Sequence, residues 1–223
     1  MYSAYVFDAY GTLFDVHAAV RKHADRIGPD AVQFSDIWRQ KQLEYTWTRT
    51  LMGRYRDFWP LTEEALDFAF EKVPSANRET KQDLLDAYWT LDCFTEVPSV
   101  LKALKASGVK TAILSNGSQG MLDAAVQSAG LTDILDGAIS VDRIGQFKAV
   151  PAVYQMVLDD FDISAGDVSF QSSNRWDVAA ANAFGFRSVW VNRGGQPDEY
   201  RDMSPEKILP DLNGLIDTNG KPI

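Results

Sequence analysis

Short apolar runs alternate with helix-period stretches over the C-terminal part of the chain. "VKTAIL", from Val109 to Leu114, reads as a strand, and Ser118 to Ala129 as a helix ended by Gly130. Gly137 to Val141 reads as a short strand. Pro151 to Asp160 reads as a helix with proline in its first turn. Val168 to Gln171 is a strand, Trp176 to Phe184 a helix ended by Gly185, and Arg187 to Val191 another strand. Such alternation predicts an α/β fold, a parallel sheet with helices on both faces. One further apolar run, Tyr5-Val6-Phe7, stands near the start and ends at Asp8.

Between that first strand and the later array, roughly Val16 to Glu96, the period is helical and strand signals are few. "FSDIWRQKQLEYTWTRTLM" predicts a long helix with Ser35 as N-cap. "LTEEALDFAF" predicts a helix opening at Thr62, with acids in its first turn. "NRETKQDLLDAYWTL" predicts a third. A helical insert therefore interrupts the α/β core just after its first strand, and the chain returns to the core near Val97-Pro98.

The chain has 223 residues, 45% hydrophobic and 24% charged, enough for a sizeable core. A net charge of −9 argues against nucleic acid and anionic membranes as partners. An anionic substrate is compatible only where local Lys or Arg meets its charge. The single cysteine, Cys93, leaves no intrachain disulfide and suits a reducing compartment. No apolar stretch is long enough to span a bilayer, so a soluble, cytoplasmic protein is expected.

Ligands of open α/β sheets sit beyond the carboxyl ends of the strands. Polar residues follow the predicted strands at that edge: Asp8 after the first, Ser115-Asn116-Gly117 after "TAIL", Lys148 after "GAISV", then Ser172-Ser173-Asn174 and Asp177 after "VSFQ". A carboxylate at a buried strand end is costly unless paired or used. Asp8 fits a carboxylate nucleophile, which splits one hard displacement into two easier ones. Gly11-Thr12 supplies a tight turn whose N–H groups and hydroxyl orient it. The alternative is that Asp8 merely caps a turn; the convergence of the other clusters on one edge favours catalysis.

These residues carry a resemblance. "VFDAYGTLFD", "ILSNG", Phe147-Lys148…Pro151…Tyr154 and "SSNRWD" resemble the four motifs of the haloacid dehalogenase superfamily, and within it the L-2-haloacid dehalogenases. "IWRQKQLEYTW" and "LMGRY…FW" resemble that subfamily's helical cap. The resemblance implies a Rossmann-like parallel sheet core, residues 1–15 and 97–223, with an inserted α-helical cap, residues 16–96.

Phosphotransferases of the superfamily resemble an Asp-x-Asp pattern here, whose second acid protonates a leaving oxygen. This chain has Tyr10 at that place, a poor acid at neutral pH. In "SSNRWD" Asp177 is the only acid, a thin site for Mg²⁺. Displacement of halide from carbon needs no general acid, only solvation of a small anion. The resemblance implies Arg39 and Asn116 as halide donors, with Trp176 as a third wall. Arg39 and Leu43, four apart on a helix, share a face. Ser115 would clamp the substrate carboxylate together with nearby backbone N–H groups. Lys148 would contact Asp8 and favour its charged form, and Tyr154 would hydrogen-bond near that lysine. Asn174 and Asp177, with Ser172, would hold the water that attacks the Asp8 ester; Asp177 would also hold Lys148. The pocket lining implied is Tyr10, Gln40, Leu43, Phe58, the Lys148 stem, Asn174 and Trp176.

The activity implied is hydrolysis of short (S)-2-haloalkanoic acids to (R)-2-hydroxy acids and halide, without metal or other cofactor, by a homodimer. Its competitors are a Mg²⁺-dependent phosphatase and a non-catalytic binding protein on the same fold. After Lys148 the family pattern has Pro-x-Pro; here Ala149-Val150-Pro151 stands, which predicts a freer loop around Lys148. Trp38, Tyr45, Trp47, Tyr55 and Trp59 read as cap packing or an oligomer surface. His17 and His23 have no acid or cysteine at ligand spacing and receive no metal role.

Overall fold

The computed structural model describes residues 2–223. Strand β1 (Ala4–Phe7) is buried at every position, as its unbroken apolar run requires of a central strand. The chain then leaves the sheet for α1 (Ala18–Lys22), α2 (Ala24–Ile27), α3 (Ala31–Leu51), α4 (Phe58–Lys72) and α5 (Lys81–Trp89). It returns through α6 (Val97–Ala106) and β2 (Lys110–Ser115). There follow α7 (Gln119–Ser128), β3 (Gly137–Ser140), α8 (Pro151–Phe161), β4 (Val168–Ser172), α9 (Arg175–Phe184), β5 (Arg187–Val191) and β6 (Lys207–Leu209).

All strand pairs are parallel, in the order β3-β2-β1-β4-β5-β6. The order reverses between β1 and β4, the topological switch point at which open α/β sheets bind ligands. Phe7 pairs with Ile113 on one side and Gln171 on the other, so Asp8 emerges at that point. The α/β core with a helical insert is thus the fold.

Two helix starts differ from expectation. α3 begins at Ala31, not after Ser35; Ser35 is buried inside it, with its hydroxyl 2.8 Å from Nδ1 of His17. α4 begins at Phe58, where Asp57 caps the N–H of Trp59 at 2.7 Å. Thr62 is then interior, and its hydroxyl donates to the Phe58 carbonyl at 3.0 Å. Pro60 lies in the first turn, where its missing N–H costs nothing. The helix α6 and the edge strand β6 had no counterpart among the expected elements.

α3 and α4 pack side by side around buried Phe34, Trp38, Phe58, Leu61 and Ala65. Each large side chain buried there contributes roughly 1.5–3 kcal/mol. The Trp38 indole donates to the Thr62 carbonyl at 2.9 Å, so its polar edge is satisfied inside the apolar contact. The outgoing and returning connections of the insert run side by side. Phe94 N–H donates to Leu13 O at 2.9 Å, and Asp15 N–H to Asp92 O at 3.0 Å.

Candidate active site

Asp8 follows β1 with its N–H on the Gln171 carbonyl at 2.9 Å, which fixes its backbone in register with β4. The turn after it needs Gly11, whose φ of +96° disfavours other residues and whose missing Cβ leaves room for Ser173 Oγ. That turn brings Thr12 back over the carboxylate. Asp8 Oδ2 accepts from Asn174 Nδ2 at 2.8 Å, and lies 3.1 Å from the Thr12 hydroxyl and 3.4 Å from that of Ser172. Its Oδ1 takes a single protein donor among the described residues, the Lys148 ammonium at 3.0 Å. The two oxygens are therefore unequal: one is crowded with donors, the other is held only by a cation.

Lys148 is 1% exposed and also donates to Asp177 Oδ2 at 2.8 Å. Asp177 Oδ1 accepts from the Tyr154 hydroxyl at 2.7 Å. Burial alone lowers the Lys148 ammonium, yet the carboxylates of Asp177 and Asp8 outweigh it and raise it above its ordinary value. Burial pushes the Asp177 carboxyl up while Lys148 pulls it down. With one oxygen on the ammonium and the other on the tyrosine hydroxyl, the geometry is that of a carboxylate. Tyr154 is held protonated by burial and then by Asp177.

Asp177 is thus not placed to hold the attacking water. It is fully buried, both its oxygens are engaged, and it meets Asp8 through the shared Lys148 ammonium. The loop carrying Lys148 is also not loose. The Lys148 N–H donates to Asn116 Oδ1 at 2.8 Å, and the preceding Phe147 N–H to Thr50 Oγ1 at 3.2 Å. These two backbone anchors hold the residues just before the place of the missing proline.

The same bond orients Asn116. Its oxygen is taken by Lys148, which leaves Nδ2 as the donor toward the pocket. Ser115 Oγ accepts from the Gly117 N–H at 3.0 Å, so its own proton is available to donate. Arg39 reaches down from α3 and donates to the Tyr10 carbonyl at 2.9 Å. The Trp176 indole N–H is buried and has no partner among the described residues. Asp8, Tyr10, Arg39, Leu43, Phe58, Ser115, Asn116, Asn174 and Trp176 surround one cavity of about 10 Å³. Gln40 does not join them. It is exposed, about 100° round the helix from Arg39.

A cation between Asp8 and Asp177 would have to take the place of the Lys148 ammonium. That ammonium already lies 3.0 and 2.8 Å from the two carboxylates. The remaining Asp8 oxygen faces the Asn174 amide and the Thr12 and Ser172 hydroxyls, with no second carboxylate among these partners. This donor set does not fit Mg²⁺, which takes several oxygen ligands.

Tyr88 and Arg193 also belong to the site and carried no sequence signal, and Ser173, which stood in the strand-end cluster, had been given no role. The Ser173 N–H donates to Thr12 Oγ1 at 2.8 Å. Tyr88 of α5 lies parallel to Tyr10, with centroids 5.7 Å apart. Arg193 donates to the Thr12 carbonyl at 2.9 Å. Tyr88 and Arg193 reach the site through tertiary contacts that no motif spacing records.

A family model of haloacid dehalogenase-like hydrolases matches residues 2–185. The chain is 54% identical to (S)-2-haloacid dehalogenase 1 of Pseudomonas sp. (strain CBS-3), over 95% of this chain and 94% of that protein. It is 46% identical to (S)-2-haloacid dehalogenase 4A of Burkholderia cepacia, over 92% and 88% of the two chains. The L-2-haloacid dehalogenase of Xanthobacter autotrophicus, solved with chloropropionic acid covalently bound, superposes with a TM-score of 0.85 at 35% identity, covering 96% of this chain and 97% of that one. The motifs, the switch-point site and these similarities together place the chain in the family of haloacid dehalogenase-like hydrolases.

Proposed function

We propose that this protein is an (S)-2-haloacid dehalogenase that converts short (S)-2-haloalkanoic acids to (R)-2-hydroxy acids and halide through an ester on Asp8. The observation that carries this is the Lys148 ammonium between Asp8 and Asp177. It pairs directly with Asp8 Oδ1 and fills the space between the two carboxylates.

The chemistry follows from the unequal oxygens. Oδ1, with one protein donor, attacks C2 in line, and the carbon–halogen electron pair leaves with the halide. Arg39, the Asn116 amide and the unpartnered Trp176 indole N–H supply donors for that anion. Ser115 donates to the substrate carboxylate. Water then attacks the Asp8 carboxyl carbon. Oδ2, facing Asn174, Thr12 and Ser172, carries the developing negative charge. Collapse restores the Asp8 carboxylate. One water proton ends on the hydroxy acid and the other goes to solvent. C2 is displaced once only, so its configuration inverts.

The division into a core of residues 1–15 and 97–223 and a cap of residues 16–96 belongs to this reading, with the paired connections near Leu13 and Phe94 as the hinge. So does a homodimer, supported by exposed Trp47, Leu51 and Met52 on and beside α3. A cytoplasmic location is supported by the lone free cysteine. Among the described residues no helix is long and apolar enough to cross a membrane.

The deciding experiment measures chloride release from the two 2-chloropropionate enantiomers in EDTA. Release from the (S) enantiomer alone is expected, with (R)-lactate as product. No release from either chloro- or bromopropionate enantiomer, together with Mg²⁺-dependent phosphatase activity, overturns the proposal.

A further inference from the structure

Arg193 stands just past the end of β5, outside every motif that carries the chemistry. Its guanidinium touches three residues on two separate stretches of chain. Nη2 donates to the Thr12 carbonyl at 2.9 Å and lies 2.6 Å from Glu96 Oε1. The guanidinium carbon sits 3.7 Å above the ring centre of Phe94. Thr12 belongs to the outgoing connection of the insert, and Phe94 and Glu96 to the returning one. These connections are joined by the Phe94–Leu13 and Asp15–Asp92 bonds and by the antiparallel Phe14–Cys93 bridge. Arg193 therefore lies across both connections of the hinge. The ion pair is largely shielded, at 19% and 11% side-chain exposure.

The same residue faces the nucleophile through one intermediary. The Thr12 hydroxyl lies 3.1 Å from Asp8 Oδ2 and accepts the Ser173 N–H at 2.8 Å. Fixing the Thr12 carbonyl fixes the plane from which that hydroxyl points. We propose that Arg193 is a positioning residue: it locks the setting of Thr12 over Asp8 to the cap hinge, so that the nucleophile is aimed only when the hinge is in register. A planar guanidinium suits the task, because it offers several donors in a fixed fork and stacks on an aromatic face at once; a lysine ammonium does not.

The kinetic arm of the test rests on the dehalogenase reading above; the exchange arm does not. In Arg193→Met, kcat for (S)-2-chloropropionate should fall about 10- to 100-fold, the penalty of a misaimed nucleophile. KM should stay within about twofold, and the Asp8 ester should form more slowly in a single turnover. Arg193→Lys restores the charge opposite Glu96 but cannot bridge both partners, and should recover only part of kcat. Hydrogen–deuterium exchange of peptides 10–16 and 91–97 should speed up in both variants. A folded Arg193→Met with wild-type kcat, or with its loss confined to KM, overturns the proposal. Should Arg193→Met not fold, Arg193→Lys decides: wild-type kcat and wild-type exchange overturn it. If the wild type releases no halide, the dehalogenase reading falls, and unchanged exchange in the variants overturns the Arg193 proposal separately.

Discussion

Trp47 on α3 stands nearly perpendicular to Trp176 at the start of α9, with ring centroids 5.4 Å apart and planes at 85°. One ring belongs to the insert and the other to the core, and Trp176 lines the cavity over Asp8. The insert thus braces a wall of the site with an aromatic edge as well as with Arg39. Edge-to-face pairs are worth about 0.5–1.5 kcal/mol beyond their buried area. Trp47→Ala should therefore raise KM for (S)-2-chloropropionate about 2- to 10-fold with little change in kcat. Steady-state kinetics beside Trp47→Phe, which keeps an aromatic edge, check this; an Ala variant with unchanged KM removes the bracing role.

Asp8→Asn keeps the volume and most hydrogen-bonding capacity of the side chain but removes the nucleophile. Turnover should drop by at least about 10³-fold, as for loss of a covalent catalytic group. The far-ultraviolet circular dichroism should be unchanged. Mass spectrometry of the wild type quenched during turnover should find an added acyl group on the peptide containing Asp8, absent from the variant. Substantial activity in Asp8→Asn means another nucleophile.

The Lys148 ammonium, raised above its ordinary value by Asp177 and Asp8, gives a pH prediction with a definite sign. A group whose folded pKa is raised contributes its full stability below the unfolded value, near ~10.4 for lysine, and loses it as pH rises through the folded value. The stability gap between wild type and Lys148→Met should thus be constant from neutral pH to about pH 10 and narrow only above that. Its size should be about 3 kcal/mol, because the variant leaves buried carboxylates without their partner. Urea midpoints measured across this range check both statements. A gap that narrows near pH 8 contradicts the geometry of the pair.

Installing the missing acid should not convert the site. Tyr10→Asp recreates an Asp-x-Asp pattern, yet the Lys148 ammonium still takes the cation's place between Asp8 and Asp177. No Mg²⁺-dependent hydrolysis of p-nitrophenyl phosphate is expected. The tyrosine ring, stacked on Tyr88 and Phe58, is also lost, and dehalogenation should fall at least about tenfold through the opened wall. Robust phosphatase activity in this variant would mean that Lys148 yields its place to metal.

The sequence alone determined the parallel sheet, its helical insert and the edge on which the polar residues gather. These follow from local periodicity and from the rule that each strand end delivers its next residue to one side. Asp8, Ser115, Lys148, Ser172, Asn174 and Asp177 were legible for that reason. Tertiary structure decided what those groups do to one another. It gave Asp177 to Lys148 and Tyr154 instead of to water, because burial left both its oxygens no other partners. It pinned the Lys148 loop through Asn116 and Thr50, residues distant in sequence. It turned Gln40 outward, since one residue along α3 is a third of a turn away from Arg39. It also set Tyr88 behind Tyr10 and Arg193 across the hinge. Those contacts depend on how the insert closes on the sheet, a packing solution spread over many side chains that no short stretch of sequence contains.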